Sequence, residues 1–383
     1  MLYLWNVKQA MFNVPQRRQR CHGFFREDRP VTATLKEVAT RAGVSVQTAS
    51  NVVNGLAARV APPTRARVLT AIDALHYQPN LPARHLRRGR IGVLALAIPD
   101  LTNPYFADIG NAVVAAAAAH GYTVLLDHTQ GDRAAEALVA NGLRPHLIDG
   151  VILSPQALER EDLDLDRATF PVVLLGERVL ATPWDHVVID NAAAARLAAV
   201  QLLTLGRRRI AAIGVPADRG GETSRLRLHG LTEAFLEAGL SVDPRLLIPA
   251  ASFHRPDGAH AHRVDGAHAM RHLLALDHPP DAVFCFNDLL AIGAMRALHE
   301  AGRRIPDDVA VVGFDDIDEG LFATPPLTTI SPDKGEIGQQ AVRLLLERIQ
   351  GTRMGPPERV ELPFRLIVRE STRGRGATLD ERR

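Results

Sequence analysis

Two cysteines in 383 residues, Cys21 and Cys285, leave no disulfide framework to build and suit a reducing compartment. No apolar stretch reaches the length that crosses a bilayer. The first thirty residues scatter Lys8, Arg17, Arg18 and Arg20 with no apolar run and no cleavage site, so they do not read as a secretory signal. The expectation is a cytoplasmic protein with no membrane attachment. The motifs of common α/β enzymes are missing as well. There is no GxGxxG after a strand, no GxxxxGKS/T and no GxSxG elbow, so dinucleotide, P-loop and serine-hydrolase chemistry lack their carriers. His260, His262, His268 and His272 cluster, but neither cysteine partners nor an HExxH pattern accompanies them. They read as solvated loop histidines. No catalytic residue, metal or cofactor is expected.

What is present is enough apolar material for a large core, 46% hydrophobic residues with 23% charged, in a chain long enough for two or three domains. The net charge of +2 conceals an asymmetry. Residues 1–90 carry 15 Lys and Arg against 4 Asp and Glu, whereas the rest carries 30 against 39. A basic head of +11 on a body of −9 points the head toward a polyanion.

From residue 91 the texture is of short apolar runs alternating with helical stretches. The runs are 91–98, 123–126, 150–154, 172–176, 210–214, 282–286 and 309–314, and between them lie stretches such as Ala107–His120, Ala192–Gly206 and Leu289–Gly302. Strands that are apolar throughout and alternate with helices predict parallel sheets covered on both faces, here as two doubly wound sheets.

Before that point, TLKEVATRAGVSVQTASNVVNG (34–55) carries the sharpest local signal. Thr34 and Glu37 have the spacing of a capping box. Leu35, Val38 and Ala39 share one face of the helix that follows. Gly43 stands where a turn needs a positive φ, and Ser45 can cap a second helix with Ala49, Val52 and Val53 on one side. Gln47, Ser50 and Asn51 fall on the opposite side with Val46 at its flank. A third helix is expected from Thr64 to Leu75, with Val68, Ile72 and Leu75 closing a small core. Two short helices joined at a glycine turn, the second with a polar outer face, fit a helix-turn-helix.

The segments YQPNLPARHL (77–86), IPDLTNPYFADI (98–109), SRLRLHGL (224–231), FNDLLAIGAMRAL (286–298), VAVVGFDDI (309–317), PPLTTI (325–330) and LIVREST (366–372) follow in order. With the helix-turn-helix they make the chain from about residue 34 to 372 resemble the lac repressor (LacI/GalR) family of regulators. The resemblance implies a sequence-specific transcriptional regulator, a repressor, with a helix-turn-helix domain at 31–79, a hinge helix and linker at 80–90 and an effector-binding, dimerising domain at 91–372. Residues 1–30 would be a disordered extension and 373–383 a tail. The sensing domain would have two lobes in the manner of periplasmic sugar-binding proteins, one holding 91–189 and 333–360, the other 190–332 and 361–372. The resemblance assigns DNA contact to Val46, Gln47, Ser50 and Asn51 on the second helix and to Asn80, Ala83, Arg84, Leu86 and Arg87 in the hinge. Leu86 would match a leucine wedged into the minor groove. Asn51 departs from an arginine common at its position, which shifts the expected base toward adenine. Asn103, Tyr105, Phe106, Arg178, Arg227, Asn287 and Asp315 would contact a small effector, a sugar by the look of their aromatic, cationic and acidic mix. The implied partners are palindromic operator DNA, that effector and a second copy of the chain. No heptad segment follows LIVREST, so a dimer is expected rather than a coiled-coil tetramer.

Overall fold

The computed structural model describes residues 33–53, 60–77, 90–142, 147–163, 170–179, 182–216, 221–249 and 262–373. The chain divides into two compact units, Met1–Asn80 and Leu81–Arg383.

The first unit contains helices α1 (Leu35–Ala42), α2 (Val46–Val53) and α3 (Pro62–Ala74). Their ends follow from local chemistry. The Thr34 amide donates to the Glu37 carboxylate at 2.6 Å while the Glu37 amide donates to the Thr34 hydroxyl at 3.3 Å, which completes the capping box. Gly43 ends α1 in the left-handed region at φ +64°, as the turn requires. The Ser45 hydroxyl then accepts from the Thr48 amide at 3.1 Å and starts α2. Val38, Ala39, Ala42, Ala49, Val52, Val68 and Ala71 form the core. The third helix begins two residues before its expected start, because Pro62 and Pro63 sit in the first turn, where a missing N–H costs nothing.

The second unit holds two sheets. The first contains β1 (Val93–Ile98), β2 (Thr123–His128), β3 (Gly150–Leu153), β4 (Val172–Leu175), β5 (Asp185–Ile189) and β11 (Arg359–Leu362) in the order β11-β5-β4-β3-β1-β2, every pair parallel. The second contains β6 (Ile210–Val215), β7 (Leu247–Pro249), β8 (Ala282–Cys285), β9 (Ala310–Phe314), β10 (Thr328–Pro332) and β12 (Phe364–Ile367) in the order β12-β10-β9-β8-β6-β7. There only β12 runs antiparallel, against β10. Helices α4 (Pro104–Ala119), α5 (Arg133–Ala140) and α11 (Lys334–Gln350) pack on the first sheet, with α11 lying against α4, β3, β4 and β5. Helices α6 (Asn191–Thr204), α7 (Glu222–Glu237), α8 (His262–Leu274) and α9 (Asp288–Glu300) pack on the second. The short helices α10 (Asp318–Leu321) and α12 (Glu370–Arg373) finish the set.

The chain passes between the lobes three times, after β5, after β10 and between β11 and β12. The last passage falls later than the sequence suggested. Leu362 pairs with Ile189, so Glu361 and Leu362 belong to the first sheet and the second resumes at Phe364. The histidines need a larger correction. Residues from His262 onward form α8, not a loop, with His262 buried and His268 and His272 exposed on its surface. His260 lies outside the described residues. The helix fits there because Gly266 and Gly293 face each other across the α8–α9 contact. A Cβ built on either would run into backbone of the other helix.

Candidate functional site

On α2 the face opposite the core is open. Val46 is 46% exposed and Gln47 is exposed, while Ser50 and Asn51 are half-buried. The Gln47 amide donates to the Asn51 side-chain oxygen at 3.2 Å, one turn apart. The hinge candidates Asn80, Ala83, Arg84, Leu86 and Arg87 lie outside the described residues.

In the second unit the candidates sit at the carboxyl ends of parallel strands, where open α/β sheets bind ligands. After β1, the buried Asp100 accepts from the Thr102 amide and hydroxyl, both at 2.7 Å, and shapes the turn into α4. Asn103 caps α4 by accepting from the Tyr105 amide at 3.1 Å. Tyr105 and Phe106 meet edge to face with ring centres 5.2 Å apart. Phe106 belongs to the core between Ile98 and Ile109, whereas Tyr105 is turned toward charged groups. Burial raises the Tyr105 phenol, the Asp315 charge raises it further and Arg227 opposes.

Arg227, on α7, is the centre of the arrangement. Its guanidinium lies 3.4 Å above the Phe314 ring centre, Nε donates to Asn191 Oδ1 at 2.9 Å, and Nη1 donates to the Phe286 carbonyl. Asn191 in turn donates to both Glu177 oxygens at 3.0 and 3.1 Å. Arg227 belongs to the second lobe and Glu177 follows β4 of the first, so one chain of hydrogen bonds joins the two. Asp315 follows β9 with φ +110°, and Asp316 follows it with φ +50°, two strained residues in succession. Lys334 at the start of α11 holds that turn, donating to the carbonyls of Asp315 at 3.1 Å and Asp316 at 2.7 Å. It also pairs with Asp108 of α4 at 2.9 Å. Beneath it the buried Asp288 accepts from Thr329 at 2.7 Å and from the Ile317 amide at 3.0 Å.

Asn287 caps α9, accepting from the Leu290 amide at 2.8 Å. Arg178 is committed elsewhere: it donates to the carbonyls of Leu158 at 3.1 Å and Ala157 at 3.4 Å and pairs with Glu159 at 3.6 Å. The structure therefore brings Tyr105, Arg227 and Asp315 into one electrostatic cluster and leaves Phe106 and Arg178 in structural contacts. Sequence reading missed Glu177, Asn191, Phe314 and Lys334. The position of Glu177 and Asn191 at strand and helix junctions was the available signal.

Burial pushes the Asp315 carboxyl up to about 7, with Arg227 and Lys334 pulling it down. The raised value has a signed consequence. From about pH 4 to 7 the folded chain keeps a proton that the unfolded chain has released, so this group lowers stability as pH rises and its full cost stands above 7. Asp315→Asn keeps the shape and tolerates positive φ. It should raise Tm by about 3 °C near pH 8, by less near pH 5, and leave it close to the parent near pH 4. Equal shifts at all three pH values in a thermal melt would contradict a carboxylate ionised at a cost.

Comparison with known proteins agrees with both units. The family described as "Bacterial regulatory proteins, lacI family" matches residues 34–80, and the "Periplasmic binding protein-like domain" matches 199–372. The HTH-type transcriptional repressor CytR of Escherichia coli (strain K12) is 33% identical over 342 residues, covering 89% of this chain and 96% of its own. A solved complex of the transcriptional regulator CelR with cellobiose is 34% identical, with TM-score 0.64, covering 88% of this chain and 99% of that one. The lac repressor dimer bound to operator and the anti-inducer ONPF is 27% identical, with TM-score 0.67, covering 89% and 99%. Among the described residues no helix is long and apolar enough to cross a membrane. A helix-turn-helix with an open polar face and a two-lobed sensing fold, matched over nearly the whole length of such repressors, make this chain a member of the lacI family of bacterial regulatory proteins, a DNA-binding transcriptional regulator and not an enzyme.

Proposed function

We propose that the chain is a cytoplasmic repressor that binds a palindromic operator as a homodimer and releases it when a sugar enters the cleft between its lobes. The observation that carries the sensing half is the electrostatic cluster of half-buried Tyr105 and Arg227 with buried Asp315, drawn from both lobes. A sugar offers hydroxyl pairs to a guanidinium and a carboxylate and an apolar face to an aromatic ring. The cellobiose complex and the operator-bound dimer among similar structures support the same reading. Asn103, Asn287 and Arg178 line the neighbouring strand ends, and Phe106 braces Tyr105. Lobe closure on the effector displaces the hinge residues Asn80–Arg87 of the two copies relative to one another. The hinge pair, with Leu86 as its wedge and Ala83, Arg84 and Arg87 beside it, then loses its fit to DNA.

The test is operator release across a panel of sugars, nucleosides and free bases. Release by at least one sugar is expected. Release by a purine base alone would overturn the sugar assignment.

In the DNA-reading half, Val46, Gln47, Ser50 and Asn51 enter the major groove. Gln47→Ala and Asn51→Ala should each cost about 1–3 kcal/mol on the preferred operator and relax preference at one position per half-site. Binding selection from a randomised operator reads this directly. A variant that returned the parental operator would remove its residue from the reading face.

A further inference from the structure

The cleft holds more acid than base, and its arginine is already committed. Glu177 is 1% exposed at the end of β4 and turns both carboxylate oxygens to Asn191. Thr223 of α7 also donates to it at 3.5 Å. Asn191 uses its amide on Glu177 and its oxygen on the Nε of Arg227, so it relays the carboxylate to the guanidinium. The buried Asp315 acts on the same guanidinium through its charge. The remaining cations nearby are matched: Lys334 by Asp108 and Arg178 by Glu159. Arg359, at the sheet edge, has Glu361 at 3.7 Å. Among the described residues, no cation near the cleft lacks an acidic partner.

We infer that Glu177 is a specificity-determining residue of the cleft: by fixing Asn191 and offsetting Arg227 it admits uncharged, hydroxyl-rich effectors and bars anionic ones such as sugar phosphates and sugar acids. This rests on the effector reading above and narrows it. An arginine alone in a cleft is an anion receptor, since its fork matches phosphate and carboxylate. Here the fork donates to a relay and a carbonyl, its face lies on Phe314, and the charges of Asp315 and Glu177 both act on it. A neutral ligand meets an acceptor for its hydroxyls in Asp315, while Glu177 stays behind Asn191 and acts through its charge. A phosphate meets the like charge of Glu177 and Asp315, both buried and so weakly screened by water. Burial raises the Glu177 carboxyl while Asn191, Arg227 and Arg359 hold it down, so the assay belongs above neutral pH.

The conservative variant is Glu177→Gln, which keeps an oxygen for Asn191 and loses the charge. The first arm needs no knowledge of the effector. The full chain is melted in sodium phosphate and in sodium chloride of equal ionic strength, near pH 8, beside Arg227→Met and the double variant. Wild type should gain no more from phosphate than Arg227→Met does. Glu177→Gln should gain a further rise of about 2 °C that disappears in the double variant. An Arg227-dependent phosphate effect in wild type, or none in Glu177→Gln, overturns the inference. The second arm compares ribose with ribose 5-phosphate and glucose with glucose 6-phosphate in operator release. For any pair that acts, wild type should favour the neutral member by about tenfold or more and Glu177→Gln should narrow that gap. A phosphate that outperforms its parent sugar on wild type overturns the inference. If no neutral sugar acts, the sugar reading fails while the phosphate titration still decides the role of Glu177.

Discussion

Arg227→Ala should leave operator affinity within about twofold of wild type and raise the effector concentration for release by about 100-fold or more. The guanidinium is the hub of the cleft, bonded to Asn191 and the Phe286 carbonyl, stacked on Phe314 and opposed by Asp315. Truncation removes a charged donor to the ligand and also leaves Asp315 and Glu177 without their shared cation. Both carboxyls then rise further, since burial already raises each of them. A protonated carboxyl accepts hydroxyl hydrogen bonds poorly, so the loss exceeds that of one contact. The residues proposed to touch the operator lie at 46–51 and 80–87, and none of the cleft groups is among them. Titrating effector against pre-formed operator complex separates the two functions. A variant that releases DNA at the wild-type concentration would show that the ligand sits elsewhere.

The second large effect is on folding. Gly293→Ala should lower stability by about 3 kcal/mol or more, enough to reduce the soluble yield of a marginally stable chain. Its Cβ would collide with the Arg263 carbonyl oxygen and crowd the Ala267 amide, both backbone, so no side chain can swing aside. Gly266→Ala meets the Leu290 carbonyl from the opposite helix in the same way. The helices could separate only by lifting off β6, β8 and β9, whose buried residues they cover. Because one crossing is involved, the double variant should cost less than the sum of the two singles. Gly302→Ala is the control for glycine replacement without collision: nothing lies near its Cβ, and only its φ of +67° opposes the change. Denaturant melts that ranked Gly302→Ala as the more damaging would refute a steric origin.

Legibility in the sequence followed the kind of interaction. The helix-turn-helix was readable because its signals are local: Thr34 with Glu37, Gly43, and Ser45 each do within a few residues what their types suggest. Most of the apolar strands were readable because burial on both faces leaves no polar interruptions, and β2 because its leucines are apolar although Leu125 and Leu126 are exposed. Strand β5 was missed since it opens with Asp185 and His186, polar residues that are buried only because Arg348 and the Glu358 amide reach Asp185 from far along the chain. Strand β11 was missed because it lies at a sheet edge and carries Arg359 and Glu361 on its outer side. In the cleft, Arg227 and Asp315 stood out within recognisable motifs. Glu177 and Asn191 offered only their places at strand and helix junctions, and the hydrogen bond that pairs them across the lobes is encoded by no spacing in the sequence.

The three passages between lobes have a consequence for the growing chain. Strand β5 is finished at Ile189, yet the strand that pairs with its free edge begins at Arg359 and the helix that covers β3, β4 and β5 begins at Lys334. At ribosomal speed the first lobe therefore waits on the order of ten seconds with an unpaired parallel edge and a bare apolar face. The second lobe is assembled during that interval, apart from its own last strand. The lobe translated earlier is thus the one completed at the end, and a message cut short just before α11 would yield a chain with an open sheet rather than a usable half. Nascent copies on neighbouring ribosomes expose the same edge over overlapping intervals, so the time in which aggregation competes with folding is set by the order of elements along the chain.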